Sequence, residues 1–178
     1  MAAREAAGGA ASMRWVVMGV SGCGKSTVAA LLAARLGVTH IEGDAYHAPA
    51  SLEKMRAGIP LEDEDRQEWL LRLQHLLAAA RERGEGAVLS CSALKRRYRE
   101  LLRGGDQALL FIHLDGAPEL IAARMQHRSG HFMPAALLAS QYRDLEPLQE
   151  DEQGVRLDVA NPPEVLVEQA LQWWRSRG

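Results

Sequence analysis

Apolar positions follow two rhythms along this chain. Short runs rich in aliphatic and β-branched side chains fall at 15–18, 39–42, 87–91, 109–114 and 155–159, and between them apolar residues recur every three or four positions. Residues 25–36 place Val28, Leu31, Leu32 and Leu36 on one side, 66–83 repeat Trp69, Leu73, Leu76, Leu77 and Ala80, and 163–177 turn Leu166, Ala170, Leu171 and Trp174 inward. These spacings predict helices whose stripes are core faces. Strands joined by helical crossovers predict an α/β fold with a five-stranded parallel sheet and helices on both faces, a three-layer sandwich. Pro118 and Pro163 sit where a first helical residue would, and Asp65 followed by Glu68 predicts a capping box. Residues 146–154, with Pro147, Gly154 and several acids, predict an exposed loop before the last strand.

Length and composition narrow this picture. A chain of 178 residues buries enough for one core. Residues 1–12 are Ala/Gly-rich and aperiodic, which predicts a disordered arm ahead of a single domain over 13–178. A net charge of -2 argues against a nucleic-acid footprint. No run approaches the ~20 apolar residues of a membrane span, and the first dozen lack the apolar middle of a signal peptide. Cys23 and Cys91 form neither a disulfide framework nor a CxxC metal site, which fits a reducing compartment and a cytoplasmic protein.

The strongest chemical signal is Gly19-Val20-Ser21-Gly22-Cys23-Gly24-Lys25-Ser26, followed by Thr27. It fits the phosphate-loop pattern and its required context, directly after one predicted strand and opening a predicted helix. Glycines let consecutive backbone N–H groups turn inward around a phosphate, and the helix N-terminus adds positive potential. Lys25 reaches the transferring phosphate and the Ser26 hydroxyl can ligate Mg2+. ATP is expected as the nucleotide, since no Asn-Lys-x-Asp element for guanine follows. Ala160-Asn161-Pro162 is placed for a loop near the adenine, although a Pro-rich turn explains the same residues.

Acceptor chemistry is expected at the carboxyl edge of the sheet, where ligand crevices of parallel sheets open. Asp44, just past the second strand, can accept the proton of an attacking hydroxyl or hold Mg2+ through water, or simply cap a turn. His47 reads either as an acceptor contact or as an ordinary loop histidine. Arg66 can bind an anionic acceptor bidentately or pair locally with Asp63 or Glu62. Lys95 follows the third strand, while Arg96, Arg97 and Arg99 read as a solvated helix face. Asp115 reads as a turn into a helix. Arg124 and Arg128 share a helix face, and the run Ser129-Gly130-His131-Phe132-Met133-Pro134 breaks the pattern, which predicts a mobile flap over about 124–142; an exposed basic face fits the same spacing.

Taken together these segments resemble a gluconate kinase of the small P-loop type, related to shikimate and nucleoside monophosphate kinases. The likeness covers nearly everything after Met13. It rests on the loop 19–26, on Glu42-Gly43-Asp44 with His47, on Lys54-Met55, Gly58-Ile59-Pro60-Leu61 and Asp63-Glu64-Asp65-Arg66 before Trp69-Leu70, and on Cys91-Ser92-Ala93-Leu94-Lys95 with Tyr98-Arg99. Arg128-Ser129-Gly130-His131-Phe132-Met133, Ser140-Gln141-Tyr142 and Leu145-Glu146-Pro147 complete it.

The resemblance implies the P-loop NTPase fold with a helical lid and an acceptor-binding segment over about 44–70. It implies transfer of the ATP γ-phosphate to the 6-hydroxyl of D-gluconate, feeding the pentose phosphate route, in a homodimer. Asp44 would be the base, Arg66 and Lys95 would hold the sugar acid with His47 and His131 nearby, and Arg124 and Arg128 would be lid arginines. Ala48 and Ser51 replace the Pro and Asn usual in the family, and Glu68 replaces a Pro, so the departures gather on the acceptor side. Two other readings keep the loop: a kinase for another small acid such as shikimate, and an ATP-binding regulator without turnover.

Overall fold

The structure, a computed structural model, describes residues 9–127 and 135–177. Strands β1 (Arg14–Met18), β2 (Thr39–Glu42), β3 (Ala87–Ser90), β4 (Leu110–Asp115) and β5 (Gly154–Asp158) form one sheet in the order β2-β3-β1-β4-β5. Every pairing is parallel, as the alternating pattern predicts. The helices are α1 (Lys25–Leu36), α2 (Pro49–Arg56), α3 (Asp63–Glu82), α4 (Arg96–Arg103), α5 (Pro118–Gln126), α6 (Ala135–Asp144) and α7 (Pro163–Ser176), with a 3-10 turn over Gly43–Tyr46. Strand order reverses beside β1, so its carboxyl end opens onto the crevice that such sheets use for ligands. Among the described residues no helix is long and apolar enough to cross a membrane.

Strand alternation builds two cores. Trp15 and Val17 of β1 enter a layer with Val28 and Leu32 of α1 and Leu166 and Leu171 of α7. Val16 and Met18 enter the opposite layer with Trp69, Leu73 and Leu77 of α3 and Leu102 of α4. Cys23 belongs to the first layer and Cys91 to the second. Each fully buried side chain of this kind contributes about 1.5–3 kcal/mol.

Four local expectations change. Helix α3 begins at Asp63 rather than Arg66, because the capping box pairs Glu62 with Asp65: the Glu62 N–H donates to Asp65 Oδ2 at 2.9 Å. That bond, then Lys54, holds the Asp65 carboxyl below its ordinary range. Arg99 is fully buried rather than solvated, donating to the carbonyls of Ala93 and Leu94 and pairing with Glu152 at 2.7 Å. Glu152 is therefore the buried anchor of a loop expected to be exposed. Residues 9–11, within the expected arm, are helical; Ala10 is buried and its carbonyl accepts the Trp15 indole N–H at 3.1 Å. Helix α2 carries no apolar stripe that predicts it, and starts on Pro49.

Candidate functional site

The phosphate loop joins β1 to α1 through three glycines with positive φ: Gly19 at 147°, Gly22 at 79° and Gly24 at 95°. Gly24 is the N-cap of α1 and no side chain caps the helix, so its first-turn N–H groups are left to a bound anion. The Gly19 N–H donates to the Ser92 carbonyl at 3.2 Å, fixing the loop to the segment after β3. Cys23 packs beneath it; burial pushes its thiol pKa up, so it is a packing group rather than a nucleophile. Lys25 Nζ donates to the Val20 carbonyl at 2.9 Å, and the Ser21 N–H donates to Gln141 Oε1 at 2.6 Å.

Two cavities meet at this loop. The wider one, about 570 Å³, is lined by Gly22, Gly24, Thr27, Arg124, Asn161 and Pro162 among others, which places the Ala160-Asn161-Pro162 loop across from the glycines. Arg124 Nη2 donates to the Val159 carbonyl at 2.7 Å, so its guanidinium lies on this side. The narrower one, about 50 Å³, is lined by Ser21, Lys25, Asp44, His47, Arg66 and Trp69, with Leu137, Ser140 and Gln141 of α6 closing it. Arg128 and His131 lie outside the described residues.

Local packing explains the acceptor side. A Cβ on Gly43 would stand 2.3 Å from the Ser90 carbonyl oxygen, so only glycine lets β2 turn against β3 there. The Gly43 carbonyl accepts the Trp69 indole N–H at 2.7 Å, which ties the 3-10 turn to α3. His47 stacks on Trp69 with centroids 4.0 Å apart, and its Nε2 is 3.6 Å from Asp44 Oδ1. Asp44 itself has a largely exposed side chain facing the cavity. Ser51 is buried and does not line the cavity.

Arg66 is buried, but its partners are neither Asp63 nor Glu62. It donates to Asp144 Oδ2 and to the Tyr98 hydroxyl, both at 3.0 Å, because starting α3 at Asp63 turns it inward. It lines both the narrow cavity and an adjoining groove of about 440 Å³. Lys95 lines only that groove, paired with Asp63 at 3.4 Å, so it is not brought together with Asp44 in the inner cavity. Asp115 bonds Arg156 at 2.7 Å, in keeping with a structural role.

Two residues that the sequence reading names only within the family likeness, without a role, stand at the loop. Glu42 accepts the Ser26 hydroxyl at 2.5 Å and the Ser90 hydroxyl at 2.9 Å. Its place at the end of β2, two residues before Asp44, is the signal that points to it. Gln141 touches the loop from a helix 120 residues away, and the element Ser140-Gln141-Tyr142 of the family likeness is its one signal. The donor set for Mg2+ is a hydroxyl and a nearby carboxylate, both hard oxygen ligands that suit the ion. Among the described residues no cluster of three His, Cys, Asp or Glu offers an all-protein metal site.

The chain as a whole is similar to known proteins. A family model described as an AAA domain matches residues 15–148. The chain is 49% identical over 161 residues to a gluconokinase of Gluconobacter oxydans, covering 90% of each. It is 45% identical over 159 residues to the thermosensitive gluconokinase of Escherichia coli, covering 89% of this chain and 85% of that one. A gluconokinase structure from Sinorhizobium meliloti superposes with a TM-score of 0.85 at 44% identity, covering 93% of each chain.

Proposed function

The chain belongs to the gluconokinase family, and from that premise we propose that it transfers the γ-phosphoryl group of ATP to the 6-hydroxyl of D-gluconate. The observation that carries the reading is one cavity holding three chemistries: the phosphate-loop Lys25, the carboxylate Asp44 and the buried guanidinium Arg66. The loop N–H groups and Lys25 hold the phosphates, and Lys25 exchanges the Val20 carbonyl for a phosphate oxygen. Asp44 accepts the hydroxyl proton at its carboxylate, with the His47 ring 3.6 Å away to orient it. Arg66, braced by Asp144 and Tyr98, receives the sugar-acid carboxylate, and Lys95 draws the anion in from the outer groove.

Arg124 neutralises phosphate charge from the nucleotide side, joined by Arg128. Ser26 and water-mediated contacts to Glu42 and Asp44 would hold Mg2+, which when bound supplies charge neutralisation on the phosphates. Kinship with gluconokinases further supports a cytoplasmic homodimer whose product, 6-phosphogluconate, enters the pentose phosphate route. The test is ADP release across a panel of D-gluconate, related sugar acids, shikimate and nucleoside monophosphates. Gluconate should give the fastest turnover, and a gluconate rate equal to the no-acceptor background would overturn the assignment.

A further inference from the structure

The phosphate loop presents different residues to its two cavities. Gly22, Cys23 and Gly24 line the nucleotide side, whereas Ser21 and Lys25 line the acceptor side, where the transferring group must cross. Both acceptor-side donors bond neutral oxygens of the chain. Lys25 has the Val20 carbonyl, and the Ser21 N–H has Gln141 Oε1 at 2.6 Å. The second contact is the unusual one, because it comes from another element.

Gln141 is mounted on a firmly held helix. On α6, Leu138 is buried in the same core layer as Val20 and Cys23. The Tyr142 hydroxyl donates to the Gly116 carbonyl at 2.9 Å, and the Glu146 N–H just beyond the helix donates to the Leu94 carbonyl at 2.7 Å. The side chain therefore meets the loop at a defined place. An N–H donor fixes the amide orientation, with Oε1 rather than Nε2 toward Ser21.

We infer that Gln141 is a positioning residue that occupies the Ser21 N–H as a neutral stand-in and yields it to an oxygen of the terminal phosphoryl group. A hydrogen bond to an anionic oxygen is roughly twice as strong as one to a neutral amide, so the phosphoryl group wins the exchange. The bond keeps the Ser21 N–H aimed into the acceptor cavity, and its exchange reports γ-phosphate arrival to α6, which closes that cavity through Leu137, Ser140 and Gln141. A nucleotide diphosphate, lacking the γ group, leaves the bond in place.

The inference rests on the loop being the site of ATP phosphoryl transfer, but its test leaves gluconate out, so a wrong acceptor assignment would not affect it. Binding of ADP and of the β,γ-imido analogue of ATP, each with Mg2+, is measured by calorimetry for the wild type, Gln141→Ala and Gln141→Glu. Removing the competitor in Gln141→Ala should tighten the triphosphate roughly three- to tenfold. The carboxylate in Gln141→Glu still accepts the Ser21 N–H but repels the phosphoryl group, and should weaken the triphosphate about tenfold or more. ADP affinity should stay within about twofold in both. A brace without this exchange predicts the reverse order, with Gln141→Glu near wild type and Gln141→Ala weaker. That order, equal shifts for the two nucleotides, or loss of ADP binding would each overturn the proposal.

Discussion

The two sides of the phosphate loop are built from different materials. The nucleotide side is mostly backbone: glycines at positive φ, the uncapped N-terminus of α1, and a turn whose Val159 carbonyl holds Arg124. The acceptor side is mostly side chains brought from the 3-10 turn after β2, from α3, α4 and α6, including Asp44, His47, Arg66, Tyr98 and Gln141. Backbone donors bind any phosphate alike. Converging side chains are what select one acceptor, and substitutions that leave nucleotide binding alone can alter them.

The division is open to attack at three points. Asp44→Asn should lower kcat about 10³-fold, as loss of a general base does, while a fluorescent ATP analogue binds within about twofold of wild type. Unchanged turnover would remove the base from the acceptor side. Arg66→Lys keeps the charge but loses the two-pronged guanidinium, and steady-state kinetics should show the gluconate KM rising about tenfold with the ATP KM unmoved. If both constants rose together, the two sides would not be separable. Arg124→Ala should act in the opposite sense and more weakly, raising the ATP KM roughly three- to tenfold and leaving the gluconate KM alone.

The same division explains what the sequence reveals. A backbone-built site is contiguous, so residues 19–27 announce themselves, and strand and helix periods carry the sheet and both core layers. A site made of side chains depends on distant pairings. Arg66 meets Asp144 across 78 positions and Ser21 meets Gln141 across 120, separations over which no local pattern reaches. The start of α3 is ambiguous for a different reason: the acidic run 62–65 and Glu68 offer two overlapping capping patterns, and the bond from the Glu62 N–H to Asp65 selects the earlier one. Lys95 is legible as a cation at the sheet edge, but its pairing with Asp63 outside the inner cavity is not. Resemblance to known kinases supplies the acceptor's identity, which residue spacing does not.

The placement of the two cysteines has a practical consequence. Cys23 lies under the phosphate loop on one face of the sheet and Cys91 behind the acceptor wall on the other; burial raises both thiol pKa values, that of Cys91 to about 12. Neither thiol can react until its own layer opens. Alkylation of each, followed by mass spectrometry, is therefore a clock for the breathing of one face, and the native chain carries separate clocks for its nucleotide and acceptor halves without any engineered label.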